Sequence, residues 1–146
     1  MTCTFFGHSD CFECDPLLLK EAIRALIEQE RVDTFYVGHQ GHFDSMVFHC
    51  LKELSPFYPF VSFFTVLAYF PTSERKNVAD RDRDLYPEGL ERCLPKFAIQ
   101  RRNQWMIERS DCCLCYVQHE WGGAYRFARM AKKRGLRVFN LGKAEL

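Results

Sequence analysis

Short apolar runs alternate along the chain with segments of helical spacing, and turn residues separate them. Thr2–Phe6 is β-branched and aromatic and stops at Gly7, which predicts a strand. Asp15-Pro16 offers an N-cap followed by proline at the first helical position. Leu19, Ile23, Leu26 and Ile27 recur behind it at helical spacing, predicting a helix to about Glu30. Thr34–Val37 reads as a second strand closed by Gly38. Phe43–Leu54 reads as a second helix with its stripe at Val47, Cys50, Leu51 and Leu54. Val61–Leu67 is almost entirely apolar, as suits a strand covered on both faces. Pro71 to Asp84 is charged and lacks periodicity, so an exposed loop with at most a little helix is expected, within a loop region spanning 71–95. Beyond it come a helix over Ala98–Arg109, a strand over Cys112–Val117, a helix over Tyr125–Arg134 ended by Gly135, and a strand over Arg137–Leu141.

Strands alternating with helices predict an α/β fold: a Rossmann-like single domain over 1–146, its sheet mostly parallel with helices on both faces. In such sheets ligands bind outside the carboxyl ends of the strands, near the point where strand order reverses. The alternation does not reveal that order.

Composition narrows the classes of partner. With 146 residues, 47% hydrophobic and 27% charged, the chain has the size and balance of one globular domain. Its net charge of +1 supplies no global field toward nucleic acid or acidic membrane. Lys132, Lys133 and Arg134 complement a helix C-terminus. No apolar run reaches the roughly 18–20 residues of a membrane span, and the N-terminus lacks signal-peptide character, so a cytoplasmic location is expected. The eight cysteines are then expected as reduced thiols, with Cys112, Cys113 and Cys115 acting as small hydrophobes in a strand.

Glycines mark the edge where a ligand would sit. Gly7 follows the first strand, Gly38 and Gly41 the second, and Gly122-Gly123 the strand at 112–117. Glycine there serves either a tight turn or the close approach of a ligand, and a following helix N-terminus favours an anion. His39, Gln40, His42 and Asp44 suit a ribose or base, although Asp44 equally suits a helix cap. Arg102 and Asn103 supply a phosphate-binding fork and a polar reader, or a solvated helix face. Trp105, Trp121 and the many phenylalanines are either core or the interface of a homo-oligomer.

The stretches "TCTFFGH", "YVGHQGHFD", "RRNQWMIERSD" and "WGGAYRFARMAKKRG" occur in an order and spacing that resembles the SLOG superfamily, and "LYPEGLE" before "PKFAIQRRN" adds to the match. More closely, the chain resembles small standalone bacterial members of its YspA/YpsA-like branch, over nearly the whole chain; the phosphoribohydrolase and DprA Rossmann-like domains belong to the same superfamily. The resemblance implies a site for a nucleotide or nucleotide-derived ligand, used for sensing or signalling, at Gly7, His8, Gly38, Gly41, Phe43, Asp44, Arg102, Asn103, Gly122 and Gly123. It implies no required cofactor. Ser9 stands where many relatives carry arginine.

Two further chemistries stay open. Superfamily enzymes hydrolyse the N-glycosidic bond of nucleoside monophosphates with a glutamate one turn beyond their glycines; here Ala124 and Tyr125 follow instead, leaving Glu108 and Glu120 as substitutes and no catalytic residue assigned. Cys11 and Cys14 form a CxxC pair downstream of His8, a partial zinc ligand set or a redox pair, or else two incidental thiols.

Overall fold

The computed structural model describes residues 1–70 and 82–146. The elements run β1 (Thr2–Gly7), α1 (Pro16–Glu28), β2 (Thr34–Val37), α2 (His42–Leu54), β3 (Ser62–Val66), β4 (Asp84–Leu85), α3 (Ala98–Glu108), β5 (Cys112–Tyr116), α4 (Gly122–Lys133) and β6 (Arg137–Asn140). All five strand pairings are parallel, and the order is β4-β3-β2-β1-β5-β6. This is an α/β, Rossmann-like sheet.

Handedness explains the two layers. Parallel crossovers are right-handed, so stepping outward from β1 through β2 to β3 puts α1 and α2 on one face, and stepping outward from β5 to β6 puts α4 on the other. The burial pattern follows suit. Cys3, Phe5, Phe35, Cys112 and Leu114 pack with α1 and α2, whereas Phe6, Cys113, Cys115 and Val117 pack with α3 and α4. All five residues of β5 are buried because both its faces are covered. The cysteines there fill small gaps between sheet and helix, and all eight are free thiols. Thr4, buried in β1, satisfies its hydroxyl by donating to Tyr36 O at 3.2 Å.

The sequence pattern places most elements within a residue or two, including the Asp15 cap, whose Oδ1 accepts from Leu17 N–H at 3.0 Å. Two differences stand out. The helix expected over Tyr125–Arg134 begins at Gly122, so the paired glycines form its first turn rather than the turn before it. The loop expected over 71–95 contains the edge strand β4, short 3₁₀ turns at Leu90–Arg92 and Pro95–Phe97, and a buried Leu90; residues 71–81 lie outside the described residues. Among the described residues no helix is long and apolar enough to cross a membrane.

Beyond β6 the chain is tied back to the end of β5. Asn140 Oδ1 accepts from Val117 N–H and Gly142 N–H, each at 2.9 Å, while its Nδ2 donates to Val117 O and Ala144 O. Every polar atom of this amide is used.

At the centre of the sheet, the side chain missing from Gly7 is replaced by the Phe43 ring, which occupies the space of a Cβ there. Gly7→Ala therefore forces overpacking and should cost about 2 kcal/mol or more in urea unfolding. An unchanged midpoint would show that α2 can shift freely.

Candidate functional site

Strand order reverses between β1 and β5, with β2 on one side of β1 and β5 on the other. Outside the carboxyl ends of these strands opens a cleft of about 580 Å³, within the range of small-molecule sites. Gly7, His8, Gly38, Asp44, Arg102, Asn103, Gly122 and Gly123 all line it. Residues from four separated stretches thus meet at one place.

Gly41 and Phe43 are not among the lining residues. Phe43 is buried against Gly7, and Gly41, at φ 91°, lets the chain pass against the backbone of Ser9. His42 N–H then donates to Ser9 O at 2.8 Å. This bond occupies the first free N–H of α2. Asp44, third residue of that helix, reaches back to accept from Gln40 N–H at 2.9 Å, a capping-box-like return. Asp44 is therefore not the N-cap of α2, which is Gly41 with no side-chain cap; its carboxylate holds the preceding loop and lines the cleft.

Arg102 is 2% exposed. Its Nε donates to Asn103 Oδ1 at 2.7 Å and a terminal nitrogen donates to Val66 O at 2.8 Å, which ties α3 to the end of β3. A Cβ on residue 38 would come within 2.8 Å of Asp44 Oδ2 and 3.1 Å of the Arg102 guanidinium. Gly38 therefore leaves the space over its backbone to the Asp44 carboxylate and the Arg102 guanidinium. Burial pushes the Asp44 carboxyl up to about 6, against the opposing pull of the Gln40 N–H and Arg102.

His8, half-buried at the end of β1, accepts from Gln118 N–H through Nε2 at 3.0 Å, which fixes the proton of its neutral ring on Nδ1. Burial lowers its pKa, and the neighbouring His119 lowers it further. His119 stacks on His8 with ring centroids 4.0 Å apart, and Trp121 stacks on His119 at 3.8 Å.

The start of α4 differs from those of α1 and α2. Its N-cap is Trp121, no side chain caps it, and its first turn holds no acid. The first N–H groups of a helix have no intrahelical partner and carry the positive end of the dipole. A Cβ on Gly122 or Gly123 would meet nothing within 4 Å, so the space over these residues is open. Lys96 and Arg126, both exposed, line the same cleft. Together with Arg102 they set three cations against the carboxylates of Asp10 and Asp44.

Sequence reasoning missed Lys96, Arg126 and His119 as lining residues. Arg126 lies four residues after Gly122 in the quoted "GGAYR", so its place on the first turns of α4 was the available signal. Lys96 and His119 arrive by tertiary closure alone. Glu108 and Glu120, weighed as substitute acids, do not line the cleft. Cys11 and Cys14 are buried; burial raises both thiols, that of Cys14 to about 12. Among the described residues no group of three or more His, Cys, Asp or Glu is arranged to hold a metal ion. A second groove, about 750 Å³, runs along the outer face of α3 and the 87–97 segment, away from the strand ends.

Set beside known proteins, the chain matches no family model and no curated protein.

The Asp44 shift has a defined pH signature. A carboxyl raised from 3.8 to about 6 on folding stabilises fully below about 3.8, and that contribution is lost as pH rises through about 6. Asp44→Asn keeps an acceptor for Gln40 N–H and removes the titration. Urea unfolding across this window should show the variant gaining stability relative to the parent as pH rises. A constant difference would mean that Asp44 ionises normally in the folded chain. The lowered His8 pKa acts oppositely, losing stability as pH falls below 6.5 through its folded value, and is common to both proteins.

Proposed function

We propose that the cleft binds a nucleotide or nucleotide-derived ligand, with its phosphate at the start of α4, and that the protein acts as a sensor or signalling module. The observation that carries this reading is the combination of an uncapped helix N-terminus, open space over Gly123, and two exposed cations, all at the strand-order reversal. Lys96 and Arg126 are suited to contact the phosphate, whereas Arg102 is committed to Asn103 and Val66. Gly7-His8 and the Gly38–Asp44 loop remain for the sugar or base. SLOG membership and a cytoplasmic setting form part of the same reading.

A second reading, hydrolysis of a nucleoside monophosphate at its N-glycosidic bond, is favoured by one observation. Asp44 places a carboxyl in the cleft with its pKa raised to about 6, near the operating range of a general acid or base. Release of free base from a nucleoside monophosphate panel, abolished in Asp44→Asn, would support it; no release from any of them would overturn it.

Gly123→Asp separates binding from stability by sign. An acid in the first turn of α4 complements the dipole and should leave stability unchanged or raised by about 0.5 kcal/mol. The same charge repels a phosphate, so the affinity for AMP in isothermal titration should fall about tenfold or more. Equal affinity in both proteins would remove the phosphate from this helix.

A further inference from the structure

His8, His119 and Trp121 form a continuous stack that ends in an open ring. Successive centroids lie 4.0 and 3.8 Å apart, with interplanar angles of 24° and 16°. The inner end is anchored, since His8 Nε2 accepts from Gln118 N–H. The middle ring is fixed too: His119 Nδ1 lies 3.1 Å from Trp121 O. The outer ring belongs to Trp121, whose side chain lines the cleft and yet is 68% exposed.

The indole is a large, rigid ring of the kind enriched where partners pack or stack. Here one face is covered by His119 and held parallel to it, while the residue as a whole stays open to solvent. A planar ring arriving on the uncovered face adds a fourth layer to a stack that is already ordered, so little side-chain freedom is lost on binding. Base–aromatic stacking tolerates any base, because each has a π-face, and it grows with the area of overlap. A two-ring base covers more of an indole than a one-ring base does. Position agrees with this: Trp121 is the N-cap of α4 and directly precedes the N–H groups assigned above to the phosphate.

We propose that the uncovered face of Trp121 is the base platform of the site, and that the ligand class is a purine nucleotide. This deepens the phosphate reading and rests on it. It moves the base away from the Gly38–Asp44 loop, leaving that loop and Gly7-His8 to the sugar.

The test is isothermal titration of the full chain with AMP, UMP and ribose 5-phosphate, repeated on Trp121→Ala and Trp121→Phe. AMP should bind more tightly than UMP, and UMP more tightly than ribose 5-phosphate. Trp121→Ala should weaken AMP binding roughly ten- to a hundredfold while leaving ribose 5-phosphate unchanged, and Trp121→Phe should restore most of the loss. If all three ligands bind equally, or if Trp121→Ala weakens AMP and ribose 5-phosphate alike, the platform is overturned while the phosphate reading stands. If none binds, the phosphate reading falls and the platform with it. Unaltered AMP binding in Trp121→Ala together with a smaller solution mass would assign the indole to a self-association surface and likewise overturn the proposal.

Discussion

Phe43 stands where residue 7 has no side chain, and the architecture around the cleft depends on that substitution. Because Gly7 cedes its volume, the first turn of α2 can press directly on the end of β1, the strand at which the sheet reverses its order. From that contact follow the bond between His42 N–H and Ser9 O and the approach of Gly41 to the Ser9 backbone. Asp44 then lies over Gly38, opposite Arg102. A close-packed interior accepts no partial version of this arrangement, since an added methyl has nowhere to go. One wall of the cleft is thus fixed by packing before any ligand is present.

The opposite wall is built on another principle. At α2 the first helix N–H, that of His42, donates to Ser9 O, and the basic side chain nearby, Arg102, is taken up by Val66 O, Asn103 and the field of Asp44. At α4 no side chain caps the helix and the space over its first turn is open, with Lys96 and Arg126 lining the same cleft. Of the helices at this edge, α2 gives its first N–H to Ser9 and carries Asp44 in its first turn, whereas α4 carries no acid in its first turn and has open space over it. That asymmetry gives the cleft a direction, with the phosphate proposed at the open side. Burying Arg102 among its own acceptors also avoids an isolated charge in the interior, which would be far more expensive than the bonds it makes.

Much of this was legible in the sequence. Alternating apolar runs and helical stripes gave α/β layering, the Asp15 cap, and the doubly covered strand at Cys112, because burial on two faces leaves a continuous apolar signature. The glycines mark the sheet edge at which the cleft opens, while their individual purposes differ. A glycine reads identically whether the vacated space is taken by Phe43, by the Asp44 carboxylate, or by nothing, and only the fold distinguishes Gly7 and Gly38 from Gly123. β4 was hidden because two residues carry no period. The early start of α4 was hidden because glycine is a poor helix former except in a first turn such as this, where few intrahelical bonds depend on it. His119 was invisible for a different reason: its neighbour in the stack is more than a hundred positions away in sequence.

That separation has a consequence for how the chain acquires its cleft. β1 pairs with β5 from Cys3–Cys112 to Gly7–Tyr116, and the bond between His8 and Gln118 spans 110 positions. β1, β2 and β3 can assemble with α1 and α2 through comparatively local crossovers, but the cleft needs the long closure that brings β5 alongside β1. Closing so long a loop costs entropy before any contact across it repays the loss, which makes it a slow step. A nascent chain with its first half folded therefore holds one wall of the site and none of the other. The cleft is a property of the finished topology, and a ligand that bound only there would stabilise the last closure by mass action.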